Sequence, residues 1–131
     1  MKPATREWLD LAAVDLRAAG TLCPDPLLTA AVAFHSQQAV EKAFKAIIEE
    51  HTLPLPRSHD LERLLGIVRE AVPLALDEDR LDVLNQVYVS SRYPMEVGIL
   101  PTGRPTPAEA RQMYAFAQQV VEEVASILGW R

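Results

Sequence analysis

Residues 33 to 46 read Ala33-Phe34-His35-Ser36-Gln37-Gln38-Ala39-Val40-Glu41-Lys42-Ala43-Phe44-Lys45-Ala46, and the spacing of polar and apolar side chains in this run decides the fold class. At about 100° per residue, His35, Gln38, Glu41, Lys42 and Lys45, with Glu49 beyond them, fall in one helical sector of roughly 120°. Val40, Ala43, Phe44, Ile47 and Ile48 cover the rest of that half of the helix. A helix that is apolar on most sides, with a single polar strip left over, needs other helices around it. The strip itself has two readings. It is either a solvated face held by Glu and Lys pairs at helical spacing, or the polar wall of a cleft.

The flanking segments supply the other helices. Upstream, Cys23-Pro24-Asp25-Pro26 reads as a turn in which Asp25 caps and Pro26 takes the first helical position, so this second helix runs from there to about Glu50. Before it, Thr5 as N-cap, the apolar series Trp8, Leu9, Leu11, Ala12, Leu16, Ala19, and Gly20 as a stop predict a first helix over residues 6 to 19. Downstream, Pro54 and Pro56 exclude helix, and Ser58 or Asp60 then caps a third helix carrying Leu61, Leu64, Leu65 and Val68 until Pro73 interrupts it. Asp77 opens a fourth with Leu81, Leu84, Val87 and Tyr88 on one face, and Pro94 forbids its smooth continuation. Residues 94 to 105 read as loop. Thr106-Pro107-Ala108-Glu109 combines an N-cap threonine, a proline at N1 and a glutamate at N3. The stripe Ala110, Met113, Ala117, Val120, Val121, Val124, Ile127 and Leu128 follows, and Gly129 ends this last helix.

No segment alternates with period two for long enough to argue a strand. The expected architecture is all-α, an up-and-down antiparallel bundle of about five helices forming one domain over residues 1 to 131. A small bundle commonly buries a leftover apolar face by pairing, so a two-fold homodimer is expected.

Composition narrows the function classes. Apolar residues at 49% and charged residues at 24% fit a folded globular chain rather than a disordered one. A formal charge of −5 argues against a surface that grips nucleic acid as a whole, although a local basic site remains compatible with it. The longest uncharged stretches fall short of a membrane span, and the N-terminus runs straight into a helical pattern instead of an apolar leader, so a cytoplasmic location without membrane attachment is expected. The lone Cys23 forms no internal disulfide and no CxxC pair. Histidines at 35, 51 and 59 make no HExxH, so no metal is expected. Neither GxGxxG, GxxxxGK[ST] nor GxSxG occurs, so no cofactor is expected.

Besides the polar strip, two places carry candidate chemistry. In Ser90-Ser91-Arg92-Tyr93-Pro94, Arg92 suits bidentate phosphate binding and Tyr93 suits stacking on a base, while a cation near a helix end is equally explained by the helix dipole. In Arg57-Ser58-His59-Asp60, the start of a helix beside Arg57 suits an anion, and His59 is a residue type that titrates near neutral pH. Capping alone explains Ser58 and Asp60 but not His59.

Taken as a set, these residues resemble the HEPN domain family. The resemblance rests on Trp8-Leu9 with Ala13-x-Asp15-Leu16, on the run from Ala33 to Ala46, on Ser58-His59-Asp60-Leu61 with Leu64-Leu65, and on Ser91-Arg92-Tyr93-Pro94, which together span nearly the whole chain. It implies a dimerising helical bundle, found in prokaryotes beside small nucleotidyltransferases in toxin–antitoxin-like pairs, that binds nucleotides or RNA. Some relatives are metal-independent ribonucleases carrying an Arg followed by a His at a separation of about four to six residues, the His serving as acid or base. This sequence has no such pair, since Arg57 stands two positions before His59 and no histidine follows Arg92. The resemblance therefore implies a homodimeric binding or regulatory module whose cleft is lined by Arg92, Tyr93, His59, Lys42 and Lys45, with Gln38 and His35 on the same strip. The alternatives are a ribonuclease with a rearranged site, His59 as base and Arg92 for the developing charge, and a purely structural partner-binding dimer.

Overall fold

The computed structural model describes residues 1–87 and 97–130. Five helices are present among them: α1 Pro3–Leu22, α2 Thr29–Glu50, α3 Leu61–Ala71, α4 Glu78–Asn85 and α5 Pro107–Leu128. No strand occurs among the described residues, and Leu100 and Gly103 close a tight turn through paired backbone hydrogen bonds. The all-α bundle expected from the periodicity is the fold.

Three caps stand where the sequence places them. Asp60 accepts from the N–H groups of Glu62 and Arg63, Asp77 from those of Asp79 and Arg80, and Thr106 with Glu109 forms a reciprocal capping box. Gly129 ends α5 in the left-handed conformation.

The first two helices differ from expectation at three points, two because a tertiary contact outweighs a local signal and one because a competing local turn does. Thr5 is not a cap: α1 begins at Pro3, and the Thr5 hydroxyl donates to Glu50 Oε1 at 2.9 Å. The Lys2 N–H donates to the same oxygen at 2.9 Å, and that bond, ahead of Thr5, holds the Glu50 carboxyl below the usual carboxylate range. Gly20 does not stop α1, which continues to Leu22. A Cβ at Gly20 would lie 2.7 Å from Tyr114 Oη, so the missing side chain makes room for α5 rather than ending a helix. Asp25 does not cap α2 either. Its carboxylate accepts from Leu27 N–H at 2.9 Å within a turn, and α2 starts later, at Thr29.

α2 is the centre of the bundle and touches all four other helices. Fourteen of its 22 residues are buried, among them Phe44, Ile47 and Ile48 with no exposed surface. α1 lies antiparallel to α2, since Lys2 meets Glu50 at one end and Ala19 packs with Val32 at the other. α3 and α4 form a short antiparallel hairpin, joined by Arg69–Glu78 at 2.8 Å at one end and Asn85–Asp60 at 3.0 Å at the other. That hairpin returns the chain to the level of Asp60, beside Gln37 and Glu41 in the middle of α2. The following link then reaches the start of α2, where Gly98, at φ +80°, sits so close that a Cβ would fall 1.8 Å from the Ala30 carbonyl oxygen.

α5 consequently starts beside the α1–α2 turn. Tyr114 faces Gly20, and Trp130 beyond the helix end donates Nε1–H to Asp10 at 3.3 Å, so α5 runs antiparallel to α1 and parallel to α2. Strict alternation of all five helices would have α5 parallel to α1. The short α3–α4 hairpin, out and back within half a helix length, produces the difference. No helix among the described residues is long and apolar enough to cross a membrane.

Candidate functional site

The polar strip of α2 is not a solvated face. Its side chains enter two seams, one against α1 and one against the segment leading into α3. In the first seam, Asp15 of α1 accepts from His35 Nδ1 at 2.8 Å and pairs with Lys42 Nζ. Asp15 stands in the apolar stripe of α1 between Ala12 and Ala19, and the Lys42 ammonium with the His35 ring N–H is what makes a buried carboxylate tolerable there.

The second seam centres on Glu41, whose side chain is only 4% exposed. Its Oε1 lies 2.7 Å from His59 Nδ1, and its Oε2 accepts from Lys45 Nζ at 3.2 Å, one helical turn further on. Lys45 is itself buried, with its ammonium 5.5 Å from the centroid of the Trp8 ring on α1, within cation–π range. Gln37, also buried, donates Nε2–H to the His59 carbonyl at 3.2 Å and accepts from Gln38 Nε2 at 2.8 Å. α2 therefore holds both the backbone and the ring of His59. The ring itself projects into solvent: the side chain is 69% exposed, and among the described residues Nε2 has no hydrogen-bond partner.

The start of α3 does not offer free N–H groups to an anion. Asn85 Oδ1 accepts from Leu61 N–H at 2.8 Å, and Asp60 takes those of Glu62 and Arg63. The Asn85 amide does most to hold the Asp60 carboxyl below its ordinary range; burial opposes it, and the Arg63 and Glu62 N–H groups add to it. A depressed folded-state value means stability that is present above the ordinary carboxylate range and lost as pH falls through the depressed one. Asp60→Ala is accordingly expected to cost about 1 kcal/mol at neutral pH, the difference from wild type shrinking below roughly pH 4. Urea melts at both pH values check this, and a cost independent of pH would contradict it. The outer face of the hairpin is acidic: the Asp82 carboxylate beside Glu62 pushes the Glu62 carboxyl up, and burial, Asp60 and Glu78 add to the effect. That face is unsuited to phosphate.

Of the residues singled out in the sequence, the structure joins His59 to Lys45 through Glu41 and His35 to Lys42 through Asp15. It ties Gln38 to the His59 backbone through Gln37. Lys42 and Lys45 are both committed to carboxylates and to different seams, so neither stands free to line a cleft. Arg92 and Tyr93 lie outside the described residues. No group of three or more His, Cys, Asp or Glu side chains among the described residues is arranged to hold a metal ion. Asp15, Gln37 and Trp8, which the sequence marked only through the apolar pattern or the family resemblance, were not among its candidate site residues. The signal for Asp15 was present, a carboxylate in register with Ala12, Leu16 and Ala19 on the apolar side of α1.

These features define a small helical domain whose central helix carries buried ion pairs and anchors the solvent-exposed ring of His59. A family model for the HEPN domain matches residues 5–127, and the chain belongs to that family. Among solved structures it is similar to one described as an archaeal HEPN homologue, with 25% identity and a TM-score of 0.68, covering 96% of this chain and 98% of that one. No curated protein matches the chain.

Proposed function

We propose that this HEPN domain is a nucleotide- or RNA-binding regulatory module that contacts its ligand through His59, acts as a homodimer, and partners a small nucleotidyltransferase in a toxin–antitoxin-like pair. The observation that carries the ligand reading is the position of His59, an exposed imidazole anchored on a buried carboxylate. An unattached surface histidine would need no such support. Family membership supports the ligand class and the partner. The homodimer reading is supported by Leu11 and Val14, 41% and 65% exposed one turn apart on the outer side of α1, with Ile127 of α5 also exposed.

The ribonuclease reading is favoured by one specific feature, the carboxylate on His59 Nδ1, which is a common support for a histidine that moves protons through Nε2. The absence of an Arg-x(4–6)-His pair weighs against it.

A backbone-amide NMR titration with ATP, then with a short single-stranded RNA, tests the binding reading. Saturable shifts are expected around His59 and in the 90–94 segment, weakened in Arg92→Ala with helical content unchanged. Shifts absent at millimolar ligand would overturn it.

A further inference from the structure

The Glu41–Lys45 pair is an unusual investment if stability were its whole purpose. Burying two charges costs desolvation that their attraction barely repays, and an apolar pair of similar size often serves a core equally well. Its geometry gives it a second role. Glu41 has two oxygens pointing in different directions, one toward Lys45 at 3.2 Å inside the bundle and one toward His59 Nδ1 at 2.7 Å at the surface. Lys45, fixed against Trp8, braces the carboxylate, and Gln37 holds the His59 backbone from the same helix.

An ionised carboxylate only accepts hydrogen bonds. A neutral imidazole carries one N–H, and at 2.7 Å from Glu41 Oε1 that proton belongs on Nδ1. Nε2 is then a bare lone pair facing solvent. We propose that Glu41, braced by Lys45, is the positioning residue of His59, fixing the tautomer in which Nε2 accepts a hydrogen bond, so that the neutral site takes a hydroxyl or N–H donor of its ligand and not a phosphate oxygen. This deepens the binding reading above and, as regards the ligand, rests on it. The tautomer itself is a property of the free protein.

The test is a long-range proton–nitrogen correlation spectrum of the histidine rings in the ligand-free protein, at a pH where they are neutral. Wild type is expected to show His59 protonated on Nδ1 and bare on Nε2. In Glu41→Gln the side-chain amide can turn its NH₂ toward the ring, so a mixture of tautomers is expected, and Glu41→Asp, which restores a carboxylate, should move the population back toward Nδ1–H. ATP affinity is expected to fall about tenfold in Glu41→Gln, the effect of losing one oriented hydrogen bond, and to recover in part in Glu41→Asp. A wild-type His59 protonated on Nε2 overturns the inference with no variant needed. So does a Glu41→Gln protein with the wild-type tautomer and wild-type ATP affinity. If wild type does not bind ATP but shows the Nδ1–H tautomer, the binding reading fails and the positioning of His59 by Glu41 stands.

Discussion

Phe44→Ala is expected to destabilise the protein by about 4 kcal/mol and to lower its melting temperature by roughly 15 °C. Phe44 is among the largest side chains with no exposed surface, and it sits on the helix that all the others touch. Truncation to alanine removes a ring from a core shared with Leu9, Leu61, Leu64 and Leu81, which belong to three other helices and cannot all close on the space left behind. Phe44→Leu, which keeps most of the volume, should cost far less. A urea denaturation series measures both. A loss under about 1 kcal/mol for Phe44→Ala would mean that α2 is not the centre of the core.

The second large effect concerns the ion pair beneath His59. Lys45→Met keeps the bulk of the side chain but removes the ammonium, leaving the buried Glu41 carboxylate with His59 alone. The expected cost is about 3 kcal/mol at neutral pH. Glu41→Leu combined with Lys45→Met replaces both charges by apolar groups of similar size and should return stability to within about 1 kcal/mol of wild type. Chemical denaturation of the two variants checks the pair. If Lys45→Met alone were neutral, the pair would not be buried in solution. The double variant also separates fold from site, because it keeps the core filled while removing the support of His59.

Much of the bundle was legible in the sequence because its signals are local. The capping box at Thr106, the caps at Asp60 and Asp77, and the apolar stripes of α3 and α5 depend on residues three or four positions apart, and the structure keeps them, except that Ile127 at the end of the α5 stripe is exposed. Thr5 and Gly20 misled because the same residue types serve contacts from elsewhere in the fold, and Asp25 because it closes a turn instead of capping a helix. Thr5 answers to Glu50, 45 positions away, and Gly20 to Tyr114 on the last helix. The direction of α5 was likewise not local, being set by where the α3–α4 hairpin returns the chain.

The site was legible in outline only. A strip some 120° wide on a buried helix faces more than one neighbour, so residues that share a strip need not share a site. Lys42 pairs with Asp15 on α1 and Lys45 with Glu41 on its own helix, and it is Glu41 that reaches the entry of α3 through His59. His59 stood out in the sequence because capping did not explain it, and its partner Glu41 was visible as a member of the strip. What joined them was tertiary, the approach of the segment before α3 to the middle of α2.

The affinity of a labelled short single-stranded RNA for wild type and for His59→Ala, measured side by side at one stated salt concentration, tests the central claim most directly. His59 is mostly in solvent, so its replacement should leave the fold standing. Binding to wild type is expected, with at least about a tenfold loss in the variant, the worth of one good hydrogen bond. Equal affinity in the two proteins would contradict it.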